Sequence, residues 1–128
     1  MTALDACALI ADDEPMIAII MERIVTSVGL TTISVSDGAQ AIQTASLLQG
    51  RLICAILDVL MPTTNGVEAA EAIRQMFPEV PIVLMSGSVP VELIERFTQI
   101  PHVAFLQKPF TILEAKALLT PILPMLRC

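Results

Sequence analysis

The sequence predicts one α/β domain: five strand–helix units in succession, with a parallel five-stranded sheet and helices on both of its faces. Three observations carry this reading. Short apolar runs recur at intervals of about 20 to 30 residues, separated by longer stretches with helical apolar spacing. Each strand–helix–strand crossover prefers the right-handed geometry, which makes the strands parallel and covers both faces. The 128 residues contain no linker, repeat or low-complexity stretch, so 1–128 is read as one domain with a core over about 6–119 and no output domain.

The elements follow in order. Cys7-Ala8-Leu9-Ile10-Ala11 is a buried-strand pattern. It runs into Asp12-Asp13-Glu14-Pro15, an acid at the cap and proline in the first turn, which starts a helix over 15–28 that Gly29 stops. The β-branched run Thr31–Val35 is a second strand. Ser36-Asp37-Gly38 opens a helix that reaches about Leu48 and ends at Gly50. Residues 52–57 are apolar throughout, the mark of a strand buried on both faces, and Asp58 sits at its end. A loop over 59–66 leads into a third helix that stops near Pro78. Residues 81–85 form a fourth strand ending in Ser86-Gly87-Ser88, and a short helix covers 90–99. Residues 103–106 form a fifth strand ending in Gln107-Lys108-Pro109, and a fifth helix starts near Thr111. Pro121 and Pro124 interrupt its end, where Ile122, Leu123, Met125 and Leu126 stay apolar and are expected to pack.

Composition removes several functions. Asp plus Glu number 13 against 7 Lys plus Arg, a net charge of -6, which argues against a nucleic-acid surface. Apolar residues make up 55% and charged residues 16%, a core-forming balance. The apolar run over 16–21 is far short of the roughly 20 residues a membrane span needs, and no basic stretch opens the chain as a secretory signal does. A cytoplasmic protein is expected. Cys7, Cys54 and Cys128 form no CxxC pair and no zinc spacing, so Cys7 and Cys54 read as small buried hydrophobes. Neither GxGxxG nor GxxxxGK occurs, which disfavours a nucleotide site.

In an open parallel sheet, ligands bind beyond the carboxyl ends of the strands. The polar residues there are Asp12 and Asp13 after the first strand, Asp58 after the third, Ser86 after the fourth and Lys108 after the fifth. In the strand order 2-1-3-4-5 all of them rim one crevice. Three carboxylates close together repel, and a divalent cation with hard oxygen ligands, Mg²⁺, relieves the repulsion. A cation, a lysine, a hydroxyl and an attacking carboxylate make a phosphoryl-transfer set. Each residue also has an ordinary reading. Asp12-Asp13 caps a helix, Asp58 is a turn acid, Ser86 belongs to a common turn and Lys108 is a solvated lysine. None of these explains why all of them end strands.

The stretches Ala11-Asp12-Asp13-Glu14, Leu57-Asp58-Val59-Leu60-Met61-Pro62, Met85-Ser86-Gly87 and Lys108-Pro109-Phe110 resemble the receiver domain of two-component response regulators. The resemblance implies a three-layer flavodoxin-like (CheY-like) (βα)5 fold with strand order 2-1-3-4-5. It implies that Asp58 accepts a phosphoryl group from a phosphohistidine on a sensor histidine kinase or phosphotransfer protein. Asp13 matches a direct Mg²⁺ ligand, Asp12 an acid that holds the metal through water, and the main-chain carbonyl of Leu60 a further ligand beside Asp58. Ser86 matches the switch hydroxyl, Lys108 the family lysine and Phe105 the aromatic switch position. A cis peptide is expected at Lys108–Pro109. Phosphorylation then adds charge that draws Ser86, admits Phe105 and changes the face of helix 4, strand 5 and helix 5. The pattern departs at Gly87, where the family usually has Ala.

The expected function is a phosphorylation-dependent signalling switch that acts on an unidentified protein target and is not a turnover enzyme. A receiver-like scaffold or phosphate sink is the alternative. Strand-end Asp phosphatases of the haloacid-dehalogenase type need a second Asp two residues after the nucleophile, and Leu60 stands there. Two helices raise docking questions. The first is apolar nearly all round, and Ile17 and Ile20 are the residues taken to meet a partner helix. In the fourth, Val91, Ile94 and Phe97 form a stripe expected to face the sheet, with a homodimer through an exposed remainder as the sharper alternative.

Overall fold

The computed structural model describes residues 6–122. Strands β1 (Cys7–Ala11), β2 (Thr31–Val35), β3 (Leu52–Asp58), β4 (Ile82–Ser86) and β5 (Val103–Gln107) alternate with helices α1 (Pro15–Ser27), α2 (Gly38–Leu48), α3 (Gly66–Met76), α4 (Val91–Thr98) and α5 (Ile112–Ile122). The sheet is parallel throughout, in the order β2-β1-β3-β4-β5. The class is the one the apolar pattern predicts, and the strand order is the one the family resemblance implies.

Alternation along the central strands builds two apolar layers. Leu9, Leu57 and Leu84 point to one face, where Ala41 and Ala45 of α2 and Ala69, Ala70 and Ile73 of α3 cover them. Ile10, Ile56 and Met85 point to the other, beneath Met21, Ile24 and Val25 of α1 and Ala115 and Leu119 of α5. Small residues on α2 and α3 let those helices approach closely, and each large side chain so buried contributes about 1.5–3 kcal/mol. Strands β1, β3 and β4 are buried on both faces, which explains their unbroken apolar sequences.

Some boundaries differ from expectation. Helix α2 ends at Leu48, and Gln49, not Gly50, takes the left-handed backbone (φ 51°) before a 3₁₀ turn over Gln49–Arg51. Helix α5 passes through Pro121 to Ile122. Proline removes the bond to the carbonyl four residues back, and the helix carries that one missing bond. The expectations on Leu123, Pro124, Met125 and Leu126 lie outside the described residues, as does the side chain of Ile122.

Two stripes face differently from the sequence reading. Ile17 and Ile20 of α1 are half-buried against the core, and Met16 (70% exposed) and Ile19 are the outward residues. On α4, Leu93 and Phe97 face the core, while Val91 (72% exposed) and Ile94 point out. A run of apolar residues hides its own phase, and only the helix's rotation about its axis decides which of them pack.

The loop after β3 is pinned by two glycines. The Gly66 N–H donates to the Val59 carbonyl at 2.7 Å, and a Cβ on Gly66 would lie 2.1 Å from the Asp58 carbonyl oxygen. A Cβ on Gly38 would lie 2.0 Å from the Thr64 carbonyl oxygen. A reciprocal pair between Asn65 and Glu68 then caps α3. Gly66→Ala is expected to cost about 1–3 kcal/mol or more, because backbone must shift. Gly50→Ala, with nothing within 4 Å of the added carbon, should leave stability within about 0.5 kcal/mol. Urea midpoints of the two variants check this, and equal midpoints would refute it.

Candidate functional site

Strand register assembles the site. Ala11 pairs with Leu57, Asp58 with Met85 and Ser86 with Gln107, so Asp12, Asp58, Ser86 and Lys108 arrive at one edge of the sheet. The ladder continues one rung past the strands. The Asp12 N–H donates to the Val35 carbonyl, the Val59 N–H to the Met85 carbonyl and the Lys108 N–H to the Ser86 carbonyl. The site side chains therefore stand on backbone that the sheet itself holds.

Asp12, Asp58 and Ser86 are buried. The Lys108 ammonium reaches into them, 3.0 Å from Asp12 Oδ2, 3.0 Å from Glu14 Oε1 and 3.3 Å from Asp58 Oδ1. The other Asp12 oxygen accepts the Glu14 N–H at 2.9 Å. The Lys108–Pro109 peptide is cis, as the resemblance implies.

The carboxylates of Asp12, Glu14 and Asp58 come within 4.8 Å of one another. Asp13 is exposed and stands outside that group, although its charge is felt at Asp58. Glu14 is the site residue that sequence reasoning assigned only to the helix cap. Glu14 does occupy the N-cap of α1, but its side chain makes no capping bond and goes to Lys108 instead. Its place in an unbroken acidic run was the one available signal. Leu60 lies two residues beyond Asp58 in the loop, with its side chain about half exposed.

Charge in the site is unbalanced. Burial pushes the Asp58 carboxyl up to about 6 and Asp12 pushes the same way, while Lys108 pulls down by charge and hydrogen bonding and Asp13 adds a final upward push. Burial lowers the Lys108 ammonium, but hydrogen bonds to Glu14 and Asp12 and the charges of Asp58 and Asp12 outweigh it, so the net direction is up. One ammonium does not neutralise this many acids. A donor set made only of carboxylate oxygens with surplus negative charge fits a hard divalent cation.

The Ser86 hydroxyl donates to the Ser88 carbonyl at 2.6 Å, turned along its own loop. Phe105 is half-buried and stacks on Phe97 of α4, with ring centroids 5.8 Å apart. A shallow groove of about 540 Å³ lined by Asp12, Asp13, Ser34, Ser36, Gln40 and Thr44 opens beside the acids. An apolar recess of about 820 Å³ lies at the other end of the sheet, between Leu52, Phe77, Ile82 and Val103, away from this chemistry. Buried Cys54 is pushed up to about 12 by burial and stays a thiol. Lys116 is exposed on α5. Among the described residues, no helix is long and apolar enough to cross a membrane.

Comparison with known proteins agrees with this geometry. The family model described as response regulator receiver domain matches residues 8–120. The transcriptional regulatory protein PdtaR of Mycobacterium tuberculosis is 32% identical over 105 residues, covering 81% of this chain and 50% of that protein. The chain spans only 14% of another curated relative, the transcription factor SKN7 of Chaetomium thermophilum. Among solved structures, a response regulator receiver protein from Sinorhizobium medicae is 28% identical with a TM-score of 0.78, covering 94% of this chain and 93% of that one. The receiver domain of sensor histidine kinase PA1611 from Pseudomonas aeruginosa is 25% identical with a TM-score of 0.79, covering 93% and 98%. That structure has a magnesium ion coordinated in its active-site cleft.

The raised Asp58 carboxyl sets a pH dependence. Its folded-state value lies above the ordinary 3.8, so its contribution to stability is greatest below about pH 4 and is lost as pH rises through about 6. Asp58→Asn removes that loss. Without divalent cations the variant should exceed wild type by about 1–3 kcal/mol above pH 7, with the gap closing toward pH 4. Thermal melts of both proteins across that range decide it, and a wild type more stable than the variant at pH 7.5 would show the shift has the opposite sign.

Proposed function

This chain belongs to the response regulator receiver domain family, and from that premise we propose that it is a phosphorylation-controlled signalling switch with Asp58 as the phosphoacceptor. The observation that carries the proposal is the Lys108 ammonium held between Asp12 and Asp58 at converging strand ends.

In this reading an Asp58 carboxylate oxygen attacks the phosphorus of a phosphohistidine on a partner kinase or phosphotransfer protein. The new O–P bond forms as the P–N bond breaks, and that electron pair returns to the imidazole nitrogen. Lys108 donates to one phosphoryl oxygen. The Ser86 hydroxyl leaves the Ser88 carbonyl and donates to another. The cation-ligand set is Asp12 and Asp58, with Asp13 and the Leu60 carbonyl at the positions the resemblance supplies, and Mg²⁺ when bound contributes charge that offsets repulsion between phosphoryl and carboxylate oxygens. The protein acts as a stoichiometric acceptor, not as a turnover enzyme, because Leu60 leaves no acid two residues after Asp58 to drive release.

The output is a change of protein contact. When Ser86 turns toward the phosphoryl group, the loop before α4 moves, and Phe105 and its stacking partner Phe97 follow. The affected face carries Val91 and Ile94 of α4 and Ile112 and Leu113 of α5, all exposed. A target, or a second copy, shifts the equilibrium only by binding the two states differently. Met16 and Ile19 at the start of α1 flank the acids and suit the apolar side of a partner helix.

Intact mass after incubation with Mg²⁺ and acetyl phosphate should show one added phosphate, absent without Mg²⁺ and absent from Asp58→Asn. A folded wild type that gains no phosphate from acetyl phosphate or from any histidine kinase would favour the scaffold reading. Met16→Glu and Ile19→Glu should slow transfer from a histidine kinase active on wild type at least several-fold, while acetyl phosphate labelling stays unchanged. Equal loss with both donors would place the effect in the fold and not in docking.

A further inference from the structure

Lys108 has more partners than the phosphoryl reaction needs. Its ammonium stands among three carboxylates, Asp12, Glu14 and Asp58. An ammonium has three N–H donors and no acceptor, so a phosphoryl group arriving on Asp58 brings new acceptors to a group whose neighbours are already in place. The phosphoryl group takes over the contact to Asp58, and to draw the ammonium closer it competes with the two hydrogen-bonded partners, Asp12 and Glu14. The Asp12 side chain is fully buried, and its second oxygen is tied to the Glu14 N–H. The Glu14 carboxylate is 61% exposed, so water replaces the ammonium there at little cost.

Glu14 does no capping work, although its carboxylate also stands with Asp12 and Asp58 in the acidic cluster. It sits at the N-cap of α1 yet makes no side-chain cap bond, and the structure gives it one side-chain partner, Lys108. Pro15 follows it directly and fixes the backbone of the first helical position, so the carboxylate is presented from a rigid base.

We propose that Glu14 is a positioning residue: it holds the Lys108 ammonium in the unphosphorylated protein and surrenders it to the phosphoryl group. This rests on the phosphoacceptor reading of Asp58. Glu14 thereby biases the switch toward its resting state.

The test uses beryllofluoride with Mg²⁺ as the phosphoryl mimic, followed by NMR on the full chain. Glu14→Gln, which keeps size and removes charge, should tighten beryllofluoride binding about two- to five-fold, the range of a part-exposed ion pair. In a Lys108→Met background the same substitution should change nothing. Unchanged affinity of Glu14→Gln overturns the proposal. Equal tightening with and without Lys108 also overturns it, because the effect is then general charge. A second readout needs neither metal nor mimic: hydrogen exchange of the Lys108 ammonium should be slow in wild type and several-fold faster in Glu14→Ala. Equal exchange rates refute the hold of Glu14 on Lys108 whatever the mimic does. A wild type that binds no beryllofluoride removes the phosphoacceptor reading, and this proposal with it.

Discussion

Two buried carboxylates at the ends of adjacent strands are the costliest feature of this fold. Asp12 follows β1 and Asp58 ends β3, strands that pair directly, and burial and the charge of Asp12 both oppose the ionisation of Asp58. The Lys108 ammonium answers that cost from β5, two strands away from β3. A lysine reaches this far only if the intervening strand keeps its register, and β4 does so through the Ser86–Gln107 pair. The charge arrangement and the sheet therefore constrain each other.

The compensation is incomplete, and function follows from the remainder. A site with balanced charge would attract a cation less strongly. Here Asp12, Glu14 and Asp58 surround a single ammonium, a surplus of negative charge that suits a divalent cation, while burial and Asp12 hold the Asp58 carboxyl above its ordinary value. Rigid backbone surrounds this tension. Gly66 packs against the Asp58 carbonyl and Gly38 against that of Thr64, so the loop after β3 has almost no room to shift. On the other side, the Ser86 hydroxyl donates to the Ser88 carbonyl, and a Cβ on Gly87 would meet nothing closer than the Lys108 carbonyl at 3.7 Å. Beyond that loop lies α4, which buries no residue fully and rests on Leu93, Phe97 and the Arg96–Glu71 ion pair.

Much of this is legible in the chain alone, for a physical reason. Apolar strands buried on both faces announce themselves by composition, and the polar residues that interrupt them at Asp12, Asp58, Ser86 and Lys108 stand out against that background. Helix faces are harder to read. Ile17 and Ile19, or Val91 and Leu93, are equally apolar, and spacing alone does not say which of each pair meets the sheet. Helix rotation, set by crowding of all neighbours at once, turned Met16, Ile19, Val91 and Ile94 outward. Glu14 was obscured because an acid before a helix has an ordinary explanation in capping.

Local pattern and residue chemistry suffice for the five strand–helix units, for the acids, hydroxyl and lysine that end the strands, and for the surplus of negative charge. Folding in three dimensions settles that Lys108 binds Glu14 as well as the two buried aspartates, that Asp13 faces solvent, and which apolar side chains stay exposed. Those outcomes depend on distances between residues up to 96 positions apart, as between Asp12 and Lys108, and such distances exist only once the sheet has closed in register.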